Sequence, residues 1–127
     1  MIVALDTSSL VAFLGGSAGA DVDSVDDFLS AGTIMLPPVV LLEVLSDPKL
    51  PAPLIRFIKN IPTLEVLGGY WERCALLRAK IMSKSLKARL GDTLIAQSCI
   101  DHELPLITRD RDFRHYARYG GLTLYQD

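Results

Sequence analysis

The 127-residue chain has only two cysteines, Cys74 and Cys99. They form no CxxC pair and have no metal-ligand spacing, which excludes a disulfide-stapled miniprotein and a zinc ribbon. Long apolar runs are missing too. The longest, residues 34–42, is interrupted by Pro37 and Pro38, whereas a membrane-spanning helix needs about 20 apolar residues. The N-terminus has no basic segment, and Asp6 cuts its apolar run short, so no secretory signal is visible. The expectation is a reduced, cytoplasmic protein with no membrane contact. No internal repeat or low-complexity tract occurs.

Charge of one sign is not in excess overall: the net is −2. It is unevenly spread. Residues 1–70 hold three Lys or Arg against eight acids, and residues 71–118 hold ten against six. A bipolar surface, with one side suited to an anionic partner, is expected.

Half of the residues are apolar, enough for a core in a single domain over residues 1–127. Gly and Pro punctuate the chain into short segments. Residues 2–5, 33–36, 64–67, 106–108 and 122–124 read as short buried strands. Thr7–Leu14, 21–31, Pro38–Leu45, 51–59, Tyr70–Ser83, 87–102 and 113–119 read as helices. Alternation of this kind predicts an α/β fold with a central parallel sheet. Ligands in such folds sit beyond the carboxyl ends of the strands.

Acids stand at those ends. Asp6 follows Ile-Val-Ala-Leu directly, and Asp110 and Asp112 follow Pro-Leu-Ile-Thr-Arg. Glu43 interrupts an otherwise apolar helix, Val-Val-Leu-Leu-Glu-Val-Leu, and Asp92 opens another. Each has an ordinary reading as well. Asp6 can cap a helix, Asp92 can oppose a helix dipole, Glu43 can lie on a narrow solvated stripe, and Asp110 or Asp112 can serve a turn. Together they point elsewhere. Carboxylates about 4 Å apart repel by roughly 4 kcal/mol per pair at an effective dielectric near 20. Either some protonate or a hard cation, Mg²⁺ or Mn²⁺, neutralises them. Such an ion in an all-oxygen site suits phosphodiester hydrolysis.

Four stretches, Leu-Asp-Thr-Ser-Ser-Leu at 5–10, Val-Leu-Leu-Glu-Val-Leu at 40–45, Gly-Asp-Thr-Leu-Ile-Ala at 91–96 and Leu-Ile-Thr-Arg-Asp-Arg-Asp-Phe at 106–113, resemble a PIN domain. In length and motif order the chain resembles VapC-type toxins of toxin–antitoxin pairs. The resemblance implies a three-layer α/β/α ribonuclease whose Mg²⁺ or Mn²⁺ site uses Asp6, Glu43, Asp92 and Asp110. It gives auxiliary roles to Asp112, Thr7 and Thr108. It also implies an RNA substrate, a homodimer and a cognate antitoxin that blocks the site. Two departures occur: Gly91 stands where the family often has Ala, and Ser46-Asp47 where a small residue is common.

Two basic stretches offer phosphate contacts. One runs through Arg73, Arg78, Lys80, Lys84, Lys87 and Arg89 beside Tyr70 and Trp71. The other runs through Arg109, Arg111, Arg114 and Arg118 beside Tyr116 and Tyr119. Arg89, Arg109 and Arg111, closest in sequence to the acids, are the expected RNA contacts, although the last two could pair with Asp110 and Asp112. His102 and His115 lack ligand spacing, and Cys74 and Cys99 read as core. The competing readings are a non-catalytic PIN-like binding module and a phosphotransferase with Asp6 as nucleophile. Ser8 stands where aspartate-nucleophile enzymes usually carry a second Asp.

Overall fold

The structure, a computed structural model, describes residues 1–126. In chain order its elements are β1 (Val3–Leu5), α1 (Thr7–Leu14), α2 (Ala20–Ala31), β2 (Ile34–Met35), α3 (Pro38–Leu45), α4 (Ala52–Lys59), α5 (Tyr70–Ser83), α6 (Leu90–Asp101), β3 (Leu106–Ile107) and α7 (Phe113–Gly120). The sheet is parallel with order β2–β1–β3. All three residues of β1 are fully buried, as expected of a central parallel strand covered on both faces.

β1 sits between neighbours from opposite ends of the chain. Ala4 aligns with Met35 on one side and with Leu106 on the other. The Ala4 N–H donates to Pro105 C=O at 2.9 Å, and the Val3 N–H to Thr33 C=O at 3.0 Å. The helices form the outer layers: α5, α6 and α7 pack on one another, and α1 packs on α2 and α3. Leu5, Leu10, Leu36, Ile58, Ile81 and Leu106 fill the core between them. Cys74 and Cys99 are buried free thiols.

Three expected boundaries need correction. Residues 64–67 are not a strand: a single parallel bridge joins Thr63 to Leu36. Pro37, which follows Leu36, has no N–H to extend the ladder, and α3 starts immediately after it. Residues 122–124 likewise supply one bridge, Leu124 to Leu106, because the partner strand β3 is only two residues long. Helix α6 starts at Leu90 rather than at residue 87. Ser85 closes α5 at φ +58°, and Arg78 Nε donates to Ala88 C=O at 2.9 Å, holding the connecting segment off the helix.

A carboxylate edge and candidate metal centre

Asp6 leaves the carboxyl end of β1 and is only 2% exposed. Its Oδ1 accepts the Ser9 N–H at 3.0 Å, which caps α1. The Ser8 hydroxyl lies 2.9 Å from both carboxylate oxygens. The Thr108 hydroxyl donates to Oδ2 at 2.6 Å. Capping and placement at the strand-end edge thus coincide in one residue. Burial pushes the Asp6 carboxyl above its ordinary value, with a smaller push from the charge of Asp110, while the Thr108, Ser9 and Ser8 hydrogen bonds pull the other way.

Thr108 also accepts the Asp110 N–H at 2.9 Å, and Asp110 Oδ1 accepts the Asp112 N–H at 2.9 Å. This ladder turns the chain from β3 into α7 and presents both acids on its way. Asp112 occupies the N-cap position of α7 without making a capping bond, so its carboxylate is not spent on the helix. Asp92, in the first turn of α6, completes the group: carboxylate oxygens of Asp92, Asp110 and Asp112 lie within 4.8 Å of one another. Asp92 is pushed up to about 6, first by burial and then by the charge of Asp110, with smaller contributions from Asp6 and Asp112.

Glu43 is exposed and is not among the three clustered carboxylates. Its Oε1 accepts the Thr7 hydroxyl at 2.9 Å. Both Glu43 oxygens lie 3.7 Å from where a Cβ on Gly91 would sit. Gly91 therefore leaves open the space between Glu43 and the turn that carries Asp92.

The basic residues divide sharply. Arg73 is fastened to both oxygens of Asp101, at 2.8 and 2.6 Å, and Arg78 to Ala88. Arg109 is drawn away from Asp110 and Asp112 to Asp21, with contacts of 2.8 and 3.0 Å. Its nitrogens also reach Ala18 C=O at 3.2 Å. Arg89 precedes α6, and its charge lowers the Asp92 pKa. Arg111 is exposed.

From sequence, Asp21, Ser9 and Thr93 carried no site role, Ser8 counted only against the phosphotransferase reading, and Tyr116 only as an aromatic beside the second basic stretch. Asp21 accepts from Ser9 Oγ at 2.9 Å as well as from Arg109. Thr93 donates to Arg89 C=O at 3.0 Å and lies 2.9 Å from the buried Tyr116 hydroxyl, tying α6 to α7 directly below the acids. The signal for Thr93 was its place beside Asp92. Asp21 had none, because 88 positions separate it from Arg109.

A family model described as PIN domain matches residues 3–119. Among solved structures, the chain is similar to VapBC2 from Rickettsia felis, bound to a DNA fragment from their promoter. The TM-score is 0.77 and the identity 21%, with 100% of both chains covered. It is also similar to VapBC-5, a member of the VapBC family of toxin–antitoxin systems from Mycobacterium tuberculosis. There the TM-score is 0.66 and the identity 21%, covering 98% of this chain and 95% of that one. At this identity the likeness establishes the expected α/β/α fold. No curated protein matches the chain.

Proposed function

As the chain belongs to the PIN domain family, we propose that it is a divalent-metal-dependent endoribonuclease and the toxin of a toxin–antitoxin pair. The observation that carries this reading is the convergence of Asp92, Asp110 and Asp112 at the carboxyl edge of the sheet. Three like charges this close, with Asp6 behind them, are costly without a counter-charge; burial first, and then the charge of Asp110, raises the Asp92 carboxyl. An all-carboxylate donor set fits Mg²⁺ or Mn²⁺.

Asp92, Asp110 and Asp112 would hold the ion, with Asp6 and Glu43 completing the acidic surround. A bound divalent cation supplies positive charge against a phosphate and makes water more acidic. The remaining roles belong to the chain. Thr108 fixes Asp6 relative to Asp110, and Thr7 holds Glu43 beside the site. Asp6, with both oxygens engaged by hydrogen bonds and 2% exposure, is suited to shaping the field and poorly suited to attacking phosphorus. That disfavours the phosphotransferase reading.

The test is cleavage of RNA by the purified protein with Mg²⁺ or Mn²⁺, and its loss with a chelator. Asp92→Asn and Asp110→Asn should abolish cleavage with the fold intact. A variant that cuts as fast as the parent removes the site assignment. Calorimetry showing no Mn²⁺ binding at millimolar concentration would favour the non-catalytic module.

The antitoxin belongs to the same proposal, supported by the likeness to two VapBC structures. So do a cytoplasmic location and a homodimer. Among the described residues, no helix is long and apolar enough to cross a membrane. Trp71, Leu76 and Met82 leave apolar surface exposed on α5, where a second copy could pack, and sedimentation velocity would show it.

A further inference from the structure

A cleft of about 250 Å³ adjoins the acid cluster, its walls including Thr108, Arg109, Asp110, Arg111, Arg114 and Tyr125. It shares Thr108 and Asp110 with the carboxylate edge, so it begins where the acids end. Its volume falls below the roughly 300 Å³ at which pockets start to enclose a whole small ligand. A segment of a polymer laid across the surface fits it better.

The three arginines of this cleft are not equivalent. Arg109 has its charge matched by Asp21. Arg111 and Arg114 are exposed, and among the described residues neither forms an ion pair. Neither reaches Asp110 or Asp112, although both are their neighbours in sequence. Arg114 Nε donates to Arg111 C=O at 3.2 Å, which ties the two residues together at the start of α7. Two uncompensated guanidinium groups therefore flank an acidic centre without collapsing onto it. A second cleft, on the other side of Thr108 and Tyr125, contains Asp21. Asp21 is matched there by Arg109, so that cleft offers a phosphate no free cation, whereas the Arg111 side does.

We infer that Arg111 and Arg114 hold a backbone phosphate of single-stranded RNA next to the bond positioned at the acids, and that Arg109 does not take part. The inference rests on the RNA-cleaving reading above and adds the direction in which the strand leaves the site. A guanidinium fork matches phosphate oxygens in pairs.

The experiment measures binding of a fluorescein-labelled single-stranded RNA by anisotropy, in EDTA, over a salt series. Cleavage kinetics with Mn²⁺ follow on the same proteins. Removing one cation that neutralises a phosphate should flatten the slope of log affinity against log salt by about 0.7. Arg111→Ala and Arg114→Ala should each do so, weaken binding about 3- to 10-fold, and raise KM while kcat stays within about twofold. Lys59→Ala, at the exposed end of α4, should change neither slope nor KM. Arg109→Ala should leave the salt slope unchanged. Unchanged slopes in Arg111→Ala and Arg114→Ala, in a protein that still cuts RNA, overturn the subsite alone. A wild-type protein that neither binds nor cuts RNA overturns the subsite together with the nuclease reading.

Discussion

The hydroxyl of Thr108 donates to the carboxylate of Asp6 at 2.6 Å, across 102 positions of sequence. The same oxygen accepts the Asp110 N–H, so one side chain joins the end of β1 to the turn that carries two of the clustered acids. Thr108→Val keeps the shape, removes the donor to a buried carboxylate and strips the Asp110 N–H of its acceptor. A loss of about 1–3 kcal/mol is expected, together with weaker Mn²⁺ binding. Thr108→Ser should restore most of both. Urea denaturation and calorimetry on the three proteins check it, and equal stability of Val and wild type would refute it.

Asp92 has a stability consequence of opposite sign. Its folded pKa, about 6, lies above the ordinary 3.8, so the folded state binds more protons than the unfolded state between those values. Stability of the metal-free protein therefore falls as pH rises from about 4 to 6 and stays reduced above that. Asp92→Asn removes the charge. After allowing for screening of a half-buried group, it should stabilise the metal-free protein by about 1–2 kcal/mol at pH 7.5. The gain should vanish below pH 4. Urea denaturation in EDTA at both pH values reads this directly, and no gain at pH 7.5 contradicts it.

Asp101 behaves in the reverse direction. Hydrogen bonds from Arg73 chiefly, and from Gln97, hold its carboxyl below the ordinary value. A depressed folded pKa gives stability that is present above the unfolded pKa and is lost as pH falls through the folded one. The melting temperature of wild type should therefore fall more steeply below pH 4 than that of Asp101→Asn. Parallel curves from pH 6 to 2.5 would show that the pair contributes nothing.

Gly19 and Gly16 make a matched pair in the turn between α1 and α2. Both have positive φ, +149° and +73°. Alanine costs about 1–2 kcal/mol through the backbone at Gly16, and about 1–3 kcal/mol at Gly19, whose φ +149°, ψ +158° is open essentially to glycine alone. At Gly16 a Cβ meets nothing within 4 Å, whereas at Gly19 it would lie 2.6 Å from Asp21 Oδ1 and 3.0 Å from Arg109 Nη2. Gly19→Ala should therefore lower the melting temperature more than Gly16→Ala. Only the Gly19 variant should lose the additional effect of Asp21→Asn in a double-mutant cycle.

Residues placed just past a parallel strand meet at one edge, so Asp6 and Asp110 are neighbours by that rule and are joined here through Thr108. Asp92 of the cluster comes from the start of α6, which the rule does not reach. Asp112 is auxiliary only by family resemblance; in the structure its capping role is unused and its carboxylate is one of the three that converge. Glu43 was legible as an anomaly in an apolar helix, but its exposed position beside Gly91 depends on how α3 meets α6. The basic stretches were the least legible. Cations at helical spacing look alike in sequence, and only packing reveals that Arg73, Arg78 and Arg109 are tied to Asp101, Ala88 and Asp21. The weak strands failed for a local reason, since Pro37 stops the ladder that residues 64–67 would have joined.

The placement of β1 between β2 and β3 has a temporal consequence. A ribosome delivers Asp6 and Glu43 first, and Asp92, Thr108, Asp110 and Asp112 only after them. Until β3 inserts alongside β1, Asp6 lacks its Thr108 donor and the cluster of three carboxylates does not exist. The three-carboxylate centre is thus a product of tertiary docking, absent from any partly folded state in which β3 has not yet paired with β1.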